Sequence, residues 1–362
     1  MTAPSETARA WVDVDLNALV ANARTLAAAC GTPLLPMVKA NGYGLGATRV
    51  ALALEPLDPW GYGVATAEEG VALREAGVRR PILVVSPLTA DTLESILSFG
   101  FRPTIGDPRM LRDWVGRSEA PFHVEIDTGM SRGGIRWSDV EAVAECVRDL
   151  ASAPGWEGAF THFHSADTDE GSIAQQWQRF QATLAAFPRR PPLIHAANSA
   201  AALCGRTYAA DLIRPGIFLY GGEARASGPP PRPVAALRAR VVAVRHVAAG
   251  ETVSYGATWS PDRPTTIATL AIGYADGVPR ATDPRPTWPP RRVELRGREV
   301  PLVGRVTMDM SMVAVDDGQV AVGDIATVFG GLVSLDQQAR SAGTIAYELL
   351  TSLGPRLPRR YR

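Results

Sequence analysis

The sequence predicts an α/β protein in two parts: an N-terminal (β/α)8 TIM barrel over residues 1–230, then a mainly β domain over 231–362. Two observations carry this reading. Up to about residue 222, short apolar runs alternate with amphipathic helical stretches, the rhythm of parallel strands joined by crossover helices. Past the Pro-rich stretch 225–233 (RASGPPPRP), Val/Thr/Ile-rich runs are separated by Gly, Pro and Asp turns instead, the pattern of short antiparallel strands.

Taken in order, residues 11–14 (WVDV) read as a strand that either domain can claim, followed by a helix opened near Asp15. Strand-like runs follow at 34–38, 60–65, 81–86, 101–105, 121–126, 157–163, 193–197 and 212–219. Helical patterns lie between them at 67–76, 89–99, 107–118, 138–152 and 171–187. The run at 101–105 is the weakest, and an open doubly wound sheet is the alternative. In the second part, strands are expected at 236–247, 251–259, 265–273, 292–296, 300–306, 310–316 and 324–329, and a helix at 335–353. Segment 280–291 reads as an exposed loop.

Composition narrows the function. With 362 residues, 46% hydrophobic and 20% charged, the chain can bury two cores. Its net charge is zero, which leaves no basic excess for nucleic acid or an anionic membrane. No apolar run approaches the ~18 residues of a membrane span. The first residues lack a basic stretch followed by an apolar core, so no signal peptide and a cytoplasmic location are expected. Cys30, Cys146 and Cys204 are too scattered for a disulfide framework or a zinc site. His162 and His164 are not expected to hold a metal either.

The cations are lopsided. Of 37 Lys and Arg residues, 36 are arginine, and the single lysine is Lys39. Arginine replaces lysine at most surface sites but stays protonated, whereas a lysine with a lowered pKa is a nucleophilic amine able to form a Schiff base. In a barrel, chemistry sits at the C-terminal ends of the strands. Those ends carry Lys39 before NGYGLG, Arg132 in DTGMSR, His162, Asn198-Ser199, and Arg214 followed by Pro215, Gly216 and Ile217. Ser and Gly after the last two strands suit a phosphate held by backbone N–H groups. A phosphate pocket beside such a lysine points to pyridoxal phosphate. GYGLG at 42–46 is close to a dinucleotide loop but lacks its full spacing.

Eight motifs in order, MVKANGYGLG (37–46), DTGMSRGG (127–134), THFHSAD (161–167), HAANSAA (195–201), RPGIFLYG (214–221), SYGATW (254–259), GYADG (273–277) and GRVTMDM (304–310), span nearly the whole chain. The sequence resembles the alanine racemase family of fold-type III pyridoxal phosphate enzymes. The resemblance implies that Lys39 anchors the cofactor and serves as one catalytic base. Tyr255, from the partner subunit of a homodimer, would be the other. It implies that Arg214 faces the pyridine nitrogen, and that Tyr43, Ser199, Gly216 and Ile217, near Asn198, hold the phosphate. Arg132 and the Met308 backbone N–H would meet the substrate carboxylate, His162 would link Arg214 to Tyr255, and Tyr274 and Asp167 would line the approach. An arginine does not readily protonate the ring, which should limit transamination.

Four positions depart from the family's usual pattern. Glu125 stands where a carbamylated lysine is frequent and offers Arg132 a negative partner. Leu45 stands where histidine is frequent, and Thr307 where cysteine is. Pro355 aligns with a phosphate-contacting tyrosine, so that contact is expected to be missing. Racemisation of serine or a larger amino acid, a fold-type III decarboxylase and a barrel-only pyridoxal phosphate carrier are the alternatives. The decarboxylase loops are absent from the sequence, and the second domain argues against the carrier.

Overall fold

The computed structural model describes residues 7–280, 289–316 and 319–362. Most of the loop expected at 280–291 thus lies outside the described residues. The chain opens on β1 (Ala10–Val14) and α1 (Leu16–Cys30). The Asp15 carboxylate accepts the Ala18 N–H at 2.9 Å, a cap of the kind that stabilises a helix by about 1 kcal/mol. Gly31 ends the helix at φ 65°, where a side chain would be strained. Leu19, Ala23, Leu26 and Cys30 are buried at helical spacing.

The α2 turn (Lys39–Tyr43), α3 (Ala47–Leu54), β2 (Tyr62–Val64), α4 (Ala67–Glu75), β3 (Ile82–Pro87), α5 (Ala90–Ser98) and β4 (Arg102–Ile105) follow. Next come α6 (Pro108–Arg117), β5 (Phe122–Asp127), β6 (Ile135–Arg136), α7 (Val140–Ala151), β7 (Trp156–Phe160), α8 (Glu170–Ala186), β8 (Leu193–His195) and α9 (Ser199–Ala202). Strands β2, β3, β4, β5, β7 and β8 lie side by side, each parallel to the next. Isolated parallel bridges close the ring: His195 to Leu212, Ile213 to Leu34, and Met37 to Gly63. The runs at 34–38 and 212–219 therefore occupy strand places without forming full ladders. Pro36 and Pro215 supply no N–H there.

Along β5, Phe122, Val124 and Ile126 alternate with His123, Glu125 and Asp127, and all six are buried. The period of two sends the two sets to opposite faces. His123 and Glu125 face the barrel interior, against His195 and in the wall of the mouth.

The second part comprises β9 (Ala235–Val247), β10 (Thr265–Leu270), β11 (Arg292–Leu295), β12 (Arg298–Val303), β13 (Ser311–Val315) and β14 (Ile325–Phe329). It ends with α10 (Leu335–Ser341), α11 (Ala346–Thr351) and β15 (Arg359–Tyr361). Its sheet runs β10-β13-β12-β11-β14-β9-β1-β15, and a further β9–β10 pairing closes the first six strands on themselves. The chain's first strand thus lies in the second part's sheet, antiparallel to β9 and parallel to β15. The Asp276 carboxylate, with no exposure, accepts from Arg9 at 2.8 Å and Arg356 at 3.0 Å. It ties the start of the chain, the GYADG turn and the C-terminal segment together.

Three expectations are corrected here. The strand expected at 251–259 is a single bridge, Val253 to Trp259, around a 3₁₀ turn at Tyr255–Ala257. Ser254, Gly256 and Ala257 have φ of 70°, 75° and 50°, a left-handed backbone outside the strand region. The helix expected at 335–353 breaks into α10 and α11, with Gly343 at φ 69° between them. Strand β15 was not anticipated. Among the described residues no helix is long and apolar enough to cross a membrane.

Candidate active site at the barrel mouth

Lys39 begins a turn in which Ala40, Asn41, Gly42 and Tyr43 all adopt left-handed φ, between 52° and 62°. Non-glycine residues resist that region at a cost of about 1–2 kcal/mol each, so the fold must hold the turn in place. It does so from both sides. The Ala40 N–H donates to Glu69 Oε1 at 2.6 Å, Asn41 Oδ1 accepts the Ala47 N–H at 3.0 Å, and Gly42 N–H meets Val38 O at 2.7 Å. Backbone strain over-determined in this way is characteristic of functional sites.

The turn aims Lys39 into a cavity of about 340 Å³, within the range of small-molecule sites. Tyr43, Glu125, Arg132, Phe160, His162, Asn198, Ser199, Arg214, Gly216 and Ile217 share its wall. A concavity of equal size on the β11–β12 hairpin holds arginines already engaged with Glu299 and Asp324 and no nucleophile. One end of the first cavity is built for close approach. A Cβ at Gly216 would lie 2.3 Å from the Tyr43 hydroxyl, so only glycine leaves that hydroxyl its place. Ser199 Oγ accepts the Gly216 N–H at 2.8 Å. Tyr43 stacks on Tyr220 at 4.4 Å, and the Tyr220 hydroxyl donates to Met37 O at 2.8 Å. Hydroxyls and backbone N–H groups clustered this way fit a phosphate.

Burial, then the charges of Arg132 and Arg214, hold the Lys39 amine below its ordinary 10.5, against an opposing pull from Glu69. The direction is the one a nucleophilic amine needs. Arg214 is 4% exposed, and burial draws its pKa down to about 10. It is held by carbonyls: Nη1 donates to His195 O at 2.8 Å and Nη2 to Thr161 O at 2.7 Å. Nη2 also lies 3.4 Å from His162 Nδ1. Burial and the neighbouring cations Arg214, Arg132 and Lys39 keep His162 well below its ordinary 6.5. An imidazole accepting from an arginine is neutral.

Glu125 does not make the direct pair expected with Arg132. Among the described residues Arg132 forms no hydrogen bond or ion pair, and its guanidinium is exposed. The two interact through space instead. Burial raises the Glu125 pKa, while Arg132 and Arg214 draw it back. Gly134, at φ 95°, lets the arginine loop pack on Glu125; a Cβ there would lie 2.9 Å from Glu125 Cγ.

Comparison with known proteins decides the family. The alanine racemase N-terminal domain model matches residues 14–224 and the C-terminal domain model matches 234–361. The chain belongs to the alanine racemase family. It is 38% identical to the Deinococcus radiodurans alanine racemase, over 97% of this chain and 99% of that one. It superposes on the biosynthetic alanine racemase of Pseudomonas aeruginosa with a TM-score of 0.88 at 33% identity, covering 98% and 100% of the two chains. For the Bartonella henselae alanine racemase, solved with covalently bound pyridoxal phosphate, the figures are 0.89, 30%, 98% and 100%.

Against the alanine racemase pattern, the chain's own cavity is missing three expected contributors. Tyr255, Tyr274 and Met308 do not line it; they stand 68%, 41% and 53% exposed on the second part of the molecule. They do come together there. Tyr274 N–H donates to Thr307 O and Ala275 N–H to Met308 O, each at 3.0 Å. Ser254 Oγ donates to Arg305 O at 2.6 Å. The three late motifs therefore form one exposed face. Among the described residues the Met308 N–H donates to nothing.

Sequence reasoning missed six wall residues: Met37, Ala40, Val85, Phe160, Tyr347 and Thr351. Of these, Tyr347 at the start of α11 brings a phenol to the wall, its ring 6.0 Å from that of Tyr43. Burial, then the charges of Asp167 and Asp336, push its phenol up to about 12. Asp167 lies at the surface near it and outside the cavity wall. His164 bonds Ser165 rather than turning to the cavity, and no metal-binding cluster occurs among the described residues.

Proposed function

We propose that the chain interconverts L-alanine and D-alanine using pyridoxal 5′-phosphate, as a cytoplasmic homodimer with shared active sites, supplying D-alanine for peptidoglycan. The observation that carries the reading is the only lysine of the chain, its amine destabilised as a cation, at the mouth of the barrel opposite Arg214 and beside the Tyr43–Ser199–Gly216 cradle. When bound, the cofactor draws electrons from the substrate Cα–H bond.

The residues divide the remaining work. Tyr43, Tyr347, Asn198, Ser199, Gly216 and Ile217 would hold the phosphate. Arg214 would face the pyridine nitrogen and, staying cationic, give up no proton. Arg132, without a hydrogen bond or ion pair among the described residues, takes the substrate carboxylate together with the Met308 N–H of the partner subunit. Lys39 Nζ moves a proton on one face of Cα. The Tyr255 hydroxyl of the partner subunit moves one on the other, so the substrate need not turn over. His162 and Arg214 bias that phenol towards ionisation. Tyr274 and Asp167 border the approach.

The test is to purify the protein with pyridoxal phosphate, look for the absorbance of a lysine-bound cofactor, and measure D-alanine formed from L-alanine. Serine and larger amino acids are run in parallel. Cofactor absorbance with fastest turnover on alanine is the expected result. Faster turnover on another amino acid would reassign the substrate, carbon dioxide release would reassign the reaction, and bound cofactor without turnover would indicate a carrier.

A further inference from the structure

Behind Arg214, away from the cavity, a chain of buried side chains crosses the barrel interior. Arg214 Nη1 lies 2.7 Å from His195 Nδ1. His195 Nε2 lies 2.8 Å from His123 Nδ1, and His123 Nε2 lies 3.1 Å from Glu157 Oε2. Glu157 in turn accepts from Arg102 Nε at 3.2 Å and Nη2 at 3.4 Å. The chain joins β8, β5, β7 and β4, from the mouth of the barrel to the opposite ends of its strands, where Arg102 and Glu157 are partly exposed.

The two ends fix every proton between them. A guanidinium only donates, so His195 Nδ1 must accept and its proton must sit on Nε2. That N–H donates to His123 Nδ1, which places the His123 proton on Nε2 as well. The last N–H meets a carboxylate, which only accepts. Both imidazoles are neutral, both carry Nε2–H, and all N–H groups point from Arg214 towards Glu157. Protonating either ring would set two donors against each other.

The surroundings are shaped around this line. A Cβ at Gly158 would lie 2.6 Å from His123 Nδ1. Phe160 stacks on His195 with ring centroids 4.9 Å apart and lies 4.8 Å from Arg214 Cζ. Trp60 packs on His123 at 5.5 Å. Both histidines are wholly buried.

We propose that His195, His123 and Glu157 are positioning residues: a one-directional hydrogen-bond relay that holds the Arg214 guanidinium in the plane and charge state it presents to the cavity. The consequence for catalysis rests on the racemase reading; the relay itself does not. Removing the hydrogen-bond partners behind a metal-ligating side chain typically costs about 10–100-fold, and the relay behind Arg214 is expected to act on the same scale.

Two measurements test this separately. With five histidines in the chain, ¹⁵N NMR of the cofactor-free protein can resolve each imidazole, with His123→Gln and His195→Gln variants for assignment. The expected result is neutral Nε2–H rings for both over the range where the protein is folded. A Nδ1–H tautomer, or a charged ring, at either site overturns the relay whatever the protein catalyses. In the cofactor-loaded protein, Glu157→Leu is compared with Glu157→Gln, which keeps an acceptor at the partly exposed end of the line. Glu157→Leu should lower kcat about tenfold with little change in KM and shift the cofactor absorbance, and Glu157→Gln should restore most of both. If Glu157→Leu lowers only the melting temperature and leaves kcat and spectrum alone, the residues are merely structural. If the tautomers are as expected but no racemisation occurs with any amino acid, the functional reading fails and the relay stands.

Discussion

The barrel mouth and the exposed face of the second part carry the same kind of residues in opposite states. At the mouth, the turn carrying Lys39, together with Tyr43, Ser199 and Arg214, is held by hydrogen bonds, stacking and close glycine contacts within one chain. On the other face, Tyr255, Tyr274 and Met308 are gathered by backbone bonds, but their side chains meet solvent. One region is finished within a single chain. The other is ordered but exposed, and in the proposed homodimer a second copy would cover it.

The largest break in this comparison comes from the finished side. Lys39→Ala should lower racemisation by ~10⁴-fold or more, measured as D-alanine formed, because on the proposed mechanism it removes both anchor and base. Tyr255→Phe should cost ~10²–10⁴-fold. The sharper test mixes the two variants after dissociation and reassembly. If each site draws Lys39 from one chain and Tyr255 from the other, mixed dimers hold one intact site, and about a quarter of wild-type activity returns. No recovery, with subunit exchange verified, would place both residues in the same chain's site.

Gly216→Ala should weaken cofactor binding roughly tenfold and cost about 1–3 kcal/mol in denaturant titration, since the added methyl displaces the Tyr43 hydroxyl. The smallest effect concerns pH. Burial holds His123, His162 and His195 below their ordinary 6.5. Below 6.5 the unfolded chain therefore binds more protons than the folded one, so stability rises with pH through that window and falls on acidification. Denaturant midpoints of the cofactor-free protein should drop between pH 7 and pH 5, and His162→Gln should flatten that drop. An identical slope would mean that His162 titrates normally in the folded chain.

Most of the barrel and most residues of its mouth were legible, because apolar strands and amphipathic helices carry their periods openly and Lys39 stands alone among the cations. What stayed hidden has physical causes. The strand-like runs at 34–38 and 212–219 were legible, but not that they would be held by isolated bridges rather than full ladders. The turn around Tyr255 uses left-handed non-glycine residues that read as ordinary strand formers. Tyr347 lines the cavity from α11, and nothing in its local sequence distinguishes it from a packing tyrosine. His123 was overlooked although the alternation along β5 announces it: a histidine and a glutamate on the inward set of a buried strand are costly unless partnered.

The placement of β1 carries a consequence for synthesis. Residues 10–14 are made long before the strands they pair with, first β9 (Ala235–Val247) and then β15 (Arg359–Tyr361). At ordinary elongation rates that interval is on the order of tens of seconds. The nascent chain must carry an unpaired apolar strand until β9 is made, and that strand gains its second neighbour only once β15 has followed.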